Sequence, residues 1–145
     1  MTELTANTLQ TVLPGQNVLF TEVPIYEPGD GIIHREGSGI VTLSGTSYRC
    51  PYSRFARYQV FFSANVAIPA DGTVSTPVAY AVTINGEPIP TSSMIVTPAA
   101  ASQFWNISTA LFVNLPRGCC YTIAVENTGT ETSDIQNVSF DIIPA

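Results

Sequence analysis

Residues Arg54 to Ile68 read RFARYQVFFSANVAI. Every second residue, Ala56, Tyr58, Val60, Phe62, Ala64, Val66 and Ile68, is apolar, and the set between them is Phe55, Arg57, Gln59, Phe61, Ser63, Asn65 and Ala67. A period of two over this length specifies a β-strand, because successive side chains leave a strand on opposite faces. One face is fully apolar and belongs to a core. The other is half apolar, which predicts that something other than water covers it.

The rest of the chain repeats this signature. Pro77 to Asn85 alternates Val78, Tyr80, Val82 and Ile84 against Ala79, Ala81, Thr83 and Asn85. Phe104 to Leu115 alternates Trp105, Ile107, Thr109, Leu111, Val113 and Leu115 against Phe104, Asn106, Ser108, Ala110, Phe112 and Asn114. Further strands are expected over Thr8–Val12, Asn17–Val23, Gly31–Glu36, Ile40–Leu43, Ser93–Thr97, Cys119–Glu126 and Asp134–Ile143, the last with Val138, Phe140 and Ile142 inward. Pro14-Gly15, Gly37-Ser38-Gly39, Asn85-Gly86 and Pro116-Arg117-Gly118 supply turns. Ala99 to Ser102 is the one helix-tolerant patch and is too short to form an element. Eight to ten strands without a helix predict an all-β, two-sheet antiparallel jelly-roll sandwich.

At 145 residues the chain is one domain long enough to bury its own core. Residues 1–16 are expected to form an N-terminal anchoring or edge-strand segment and residues 17–145 the jelly roll. Only 11% of residues are charged, against roughly 25% in typical globular chains. That shortage favours burial of part of the surface in an assembly. The small outward residues Ala79, Ala81, Ala110 and Ala124 suit a flat contact with another copy, and a closed homotrimer is the natural outcome. With Phe55, Phe61 and Phe112 on second faces, the expected interface set is Phe55, Phe61, Ala79, Ala81, Ala110 and Phe112.

Net charge is −6, with no lysine and five arginines. This excludes the basic footprint that nucleic acid or an anionic membrane surface requires. No apolar run has the length of a membrane helix, so no membrane insertion is expected. The first residues, MTELTANTLQTVLPGQ, carry neither a basic start nor an apolar export core, so synthesis in the cytoplasm without use of that export route is expected.

Candidate chemistry is sparse. His34, beside Arg35 and Glu36, is the single histidine; it reads as a partly buried, hydrogen-bonded residue near a turn rather than as a catalytic base. Cys119 and Cys120 are neighbours on an expected strand and point to opposite faces, so they do not chelate one metal together. Buried free thiols are favoured for the three cysteines, with a Cys50 disulfide to one of the pair as the alternative. Glu22, Asp30, Glu36 and Asp71 read as solvated loop charge rather than a calcium site. Asn106-Ile107-Ser108 and Asn137-Val138-Ser139 match the glycosylation sequon by chance. No catalytic residue, metal or cofactor is expected. Tyr48, Tyr52 and Trp105 are the candidates for an aromatic ligand-binding loop.

The strand FARYQVFFSANVAI, the strand VAYAVTING ending in Asn-Gly, FWNISTALFVNLPRG and the pair CCYTIAVENTG and VSFDII together resemble the trimeric jelly-roll superfamily of tumour necrosis factor and the complement globular head. GQNVLFTE, IIHREGSGIVTL, INGEPI, MIVTPAA and RGCCYTIAVENT are most similar to short members encoded by gut Firmicutes and their bacteriophages. The resemblance implies a non-enzymatic homotrimer. Its expected role is a bacteriophage virion component, a capsid decoration or head-fibre protein, made in the host cytoplasm, displayed on the virion surface and partnered by other virion proteins such as the capsid. The alternative is a bacterial cell- or spore-surface module recognising a protein or a host-surface glycan. The spore-surface members carry a collagen-like Gly-X-Y stalk, which this chain lacks.

Overall fold

The computed structural model describes residues 1–27, 29–35, 37–46, 52–118 and 120–145. Twelve strand segments follow one another: β1 Thr2–Ala6, β2 Gln10–Val12, β3 Glu22–Ile25, β4 Ile32–His34, β5 Val41–Leu43, β6 Phe55–Ala67, β7 Val78–Ile84, β8 Glu87–Pro88, β9 Met94–Val96, β10 Trp105–Pro116, β11 Tyr121–Asn127 and β12 Ser133–Pro144. A 3-10 turn, Pro90–Ser92, lies between β8 and β9. The count exceeds the eight to ten expected because β8 and β9 both pair with β7, interrupted by that turn, and because β1 carries too few apolar residues to be read as a strand.

The segments form two antiparallel sheets. The first has the order β10-β6-β12-β1-β3, with β2 also pairing β12; the second has the order β4-β5-β11-β7-β8, with β9 also pairing β7. Their inner faces enclose one core. Along β6 the apolar set Ala56, Tyr58, Val60, Phe62, Ala64, Val66 and Ile68 is buried throughout. Phe140 of β12 stacks on Phe20 at 5.2 Å and meets Phe62 edge-on at 5.9 Å. Aromatic pairs in these geometries add to the burial of their area. Two buried hydroxyls are satisfied: Tyr58 donates to the Ser44 carbonyl at 2.7 Å, and Tyr80 bonds with Ser133.

Residues 1–16 are built into the sandwich. β1 lies between β12 and β3, so the edge is β3, and Thr2, Leu4 and Ala6 point into the core. Residues 15 to 18 bond along β11: Val18 donates to the Val125 carbonyl and Asn127 donates to the Gln16 carbonyl. Beside them, a Cβ at Gly39 would collide with the Val18 carbonyl, so the hairpin of β4 and β5 packs at a distance that only glycine permits.

β12 contains a shift of phase. Its register against β6 slips between Gln136 and Ser139, where Asn137 has φ of 53°. This bulge lets Ile135, on the wrong parity for Val138, Phe140 and Ile142, point into the core with them. At the β7–β8 connection Ile84 pairs with Glu87, leaving Asn85 and Gly86 with φ of 52° and 84°, the two-residue turn that an Asn-Gly pair favours.

Candidate functional site

The outward face of the first sheet is built from transverse rows, because residues paired across antiparallel strands share a face. One row runs Ile25, Glu3, Asp141, Phe61 and Ala110 across β3, β1, β12, β6 and β10. Toward the chain start of β6 the rows are Ile143, Gln59 and Phe112, then Arg57 and Asn114, then Phe55 and Pro116. In the other direction come Thr5, Ser139, Ser63 and Ser108, then Gln136, Asn65 and Asn106. The face therefore grades from phenylalanines to hydroxyls to amides.

Large apolar groups stand open on it. Phe112 is 61% exposed, Phe55 44% and Phe61 37%. A shallow groove of about 430 Å³ crosses the middle, lined among others by Phe61, Ser63, Ser108, Ala110, Ser139 and Asp141. Arg57 is held in the plane of the face: its Nε donates to Asn114 Oδ1 at 2.9 Å and its guanidinium sits 5.5 Å from the centre of the Phe55 ring. At the amide end, Asn106 Nδ2 donates to Asn65 Oδ1 and to the Ala64 carbonyl, both at 3.2 Å.

Asp141 is the exception in this setting. Its Oδ1 is buried and has no hydrogen-bond partner among the described residues. Burial, and then the charge of Glu3 opposite, push its carboxyl above the ordinary range, with the Ser139 hydroxyl pulling the other way.

The structure brings Phe55, Phe61, Ala110 and Phe112 onto this one face. Ala79 and Ala81 lie on β7 in the second sheet, and Ala81 is only 1% exposed. Alternation predicts that they point outward, but it does not say from which sheet. The aromatic loop set is also divided. Tyr52 is 91% exposed just before β6, whereas Trp105 pairs with Val66 near the far end of that strand. Tyr52 precedes the start of β6 at Phe55, and eleven strand residues separate Phe55 from Val66, on the order of 36 Å, so the structure does not bring the two together. Tyr48 and Cys50 lie outside the described residues.

The favoured free-thiol state does not hold for Cys120, which is disulfide-bonded. It is also exposed rather than buried. The cause is the later start of β11, at Tyr121, which leaves Cys120 ahead of the strand. His34 matches its expected character: half-buried, its Nε2 is 2.8 Å from the Ser38 carbonyl and its ring meets Phe20 edge-on at 6.1 Å. Asp30 is engaged with the Ile32 amide and the Met1 ammonium. No group of three or more potential metal-ligating side chains occurs among the described residues.

No family model matches the chain, and no curated protein matches it. Solved structures do share its fold. The tumour necrosis factor Eiger from S. frugiperda aligns with a TM-score of 0.71 and 11% identity over 99% of this chain and 90% of that one. The globular domain of zebrafish complement 1qA protein aligns with a TM-score of 0.60 and 12% identity over 97% and 94%. Murine APRIL aligns with a TM-score of 0.56 and 12% identity over 98% of each. The chain is an all-β sandwich with the jelly-roll fold of tumour necrosis factor and the complement globular head.

Proposed function

We propose that the protein is a non-enzymatic module that assembles as a homotrimer through the outward face of its first sheet. One observation carries this reading: three exposed phenylalanines, Phe55, Phe61 and Phe112, share that face with Ala110. Exposed large apolar side chains gathered on one sheet face mark an interaction site. A second copy is the occupant favoured by the low content of charged residues, and a head-to-tail contact between identical copies closes into a ring when its rotation permits.

As a trimer, the module serves as a bacteriophage virion component, a capsid decoration or head-fibre protein on the virion surface. The segment-by-segment resemblance to short phage-encoded jelly rolls supports this role. Attachment to the capsid uses the N-terminal segment 1–16, of which residues 7–9 and 13–16 are exposed beyond β1. The second reading, a cell- or spore-surface module for a glycan or protein, is favoured by one feature: Tyr52 stands almost fully in solvent.

The mass of the native particle, measured by light scattering beside Phe61→Glu and Phe112→Glu variants, tests the assembly. Three chains that separate in the variants support it; a wild-type monomer overturns it. Presence in purified virions then supports the first role. A glycan-array signal lost on Tyr52→Ala supports the second.

A further inference from the structure

Register sets Glu3 directly opposite Asp141, with Phe61 on the other side of Asp141. Side chains so paired have Cβ atoms about 4.5–5.5 Å apart, where like charges are destabilising. Asp141 lines the central groove with one carboxylate oxygen already buried and unpartnered among the described residues. Covering the groove removes the remaining water from a pair of acids that can relieve their repulsion by holding a proton between them.

Apart from the Ser139 hydroxyl on its own strand, which pulls the other way, the surroundings offer little relief. From β6 Asp141 faces Phe61, flanked by Gln59 and Ser63, and from β10, beyond β6, come Ser108, Ala110 and Phe112; none of these titrates. From β1 it faces Glu3, and from β3 the nearest ionisable group is Glu22, opposite Thr5. Arg57 lies four residues along β6 from Phe61, about 13 Å away, and is engaged by Asn114 and the Phe55 ring.

Building on the self-association proposed above, we infer that Asp141, together with Glu3, makes assembly proton-linked: closure of the face takes up Asp141 as the neutral acid, so the oligomer tightens as pH falls. The direction follows from the chemistry. A carboxyl held above its ordinary range binds a proton in the folded state that the unfolded chain does not yet bind. Its stabilising effect is therefore present at low pH and is lost as pH rises through the folded-state value. Burial between copies extends the same effect to association, and the neutral acid gains an O–H that can donate to Glu3.

The test is sedimentation velocity of the full chain in a dilution series from pH 4.5 to 8, with Asp141→Asn and Glu3→Gln. The wild type is expected to associate more tightly toward pH 4.5. Asp141→Asn should tighten association at pH 7.5 by about tenfold, the order expected from removing one unsatisfied buried charge per copy, and should flatten the pH dependence. Glu3→Gln should shift that dependence toward lower pH, which keeps the question answerable if the first variant folds poorly. A pH-independent oligomer overturns the inference while leaving the self-association reading standing. Weaker association of Asp141→Asn at pH 7.5 also overturns it, because the carboxylate would then be pairing with a cation of a neighbouring copy. A wild type that stays monomeric at every pH and concentration removes the self-association reading itself, and this inference with it.

Discussion

The outward faces of the two sheets are built by the same alternation and differ in what it places there. On the first sheet the outward positions carry Phe55, Phe61 and Phe112, all exposed. On the second, the paired positions are Thr42 with Thr122, Ala124 with Thr83 and Glu126 with Ala81. Thr83, Ala81 and Ala124 are buried, and the large apolar side chains there, Ile33 and Ile95, are confined to β4 and β9. Scattered surface isoleucines are ordinary in a soluble protein, whereas a phenylalanine cluster is not. The contrast teaches that outward apolar bulk is distributed unevenly: one face is finished with small residues and the other carries exposed phenylalanines.

Several substitutions would break or sharpen that contrast. The largest loss should come from behind the first face, where Phe140 joins Phe20 and Phe62: Phe140→Ala is expected to cost about 3–5 kcal/mol of unfolding free energy in urea titration. Phe61→Glu with Phe112→Glu should abolish association yet leave the monomer folded. Ile33→Glu with Ile95→Glu should leave the particle mass unchanged and alter stability by only about 0.5 kcal/mol. Loss of association in the isoleucine pair alone would move the interface to the second sheet.

Tyr80, behind the second sheet, sharpens the comparison with Asp141. Burial pushes its phenol up to about 12, with the Ser133 hydroxyl pulling the other way and the charge of Asp134 adding to the rise. The unfolded chain loses that proton near pH 10, so stability should fall as pH rises from about 10 to 12. Tyr80→Phe should remove this alkaline loss in pH-jump denaturation while costing about 1 kcal/mol at neutral pH through the lost bond to Ser133, whose hydroxyl keeps only the Asn127 amide. A modest effect is expected at the turn after β7. Asn85 Oδ1 accepts from the Thr122 amide at 2.9 Å, and Asn85→Ala, losing this bond and the positive-φ preference, should cost about 1 kcal/mol or slightly less in thermal melts.

Much of the fold was legible because strand parity is local. The inward set of β6, the hairpin of β4 and β5 and the Asn-Gly turn all follow from side-chain spacing and turn chemistry. β1 was not legible: TELTA is polar, and its Thr2, Leu4 and Ala6 become core only through pairing with β12 and β3. Ile135 escaped for another reason, since the bulge at Asn137 reverses parity and leaves no residue-type signal. The face was half legible. Alternation marks Phe55, Phe61, Ala110 and Phe112 as outward residues, and they do share a surface, but it groups Ala79 and Ala81 with them although β7 belongs to the other sheet. Nothing in the residue pattern singled out Asp141, because its neighbours Glu3 and Phe61 are distant in sequence.

The residue order by itself determined that this protein is made of strands, which side of the long strands is core, and that charged residues are scarce. Those are properties of short stretches and of composition. Only the tertiary structure decided which outward residues stand together and that an acidic pair lies among phenylalanines. A period of two assigns each side chain to a face, whereas the choice and register of neighbouring strands are set by packing across the whole sandwich.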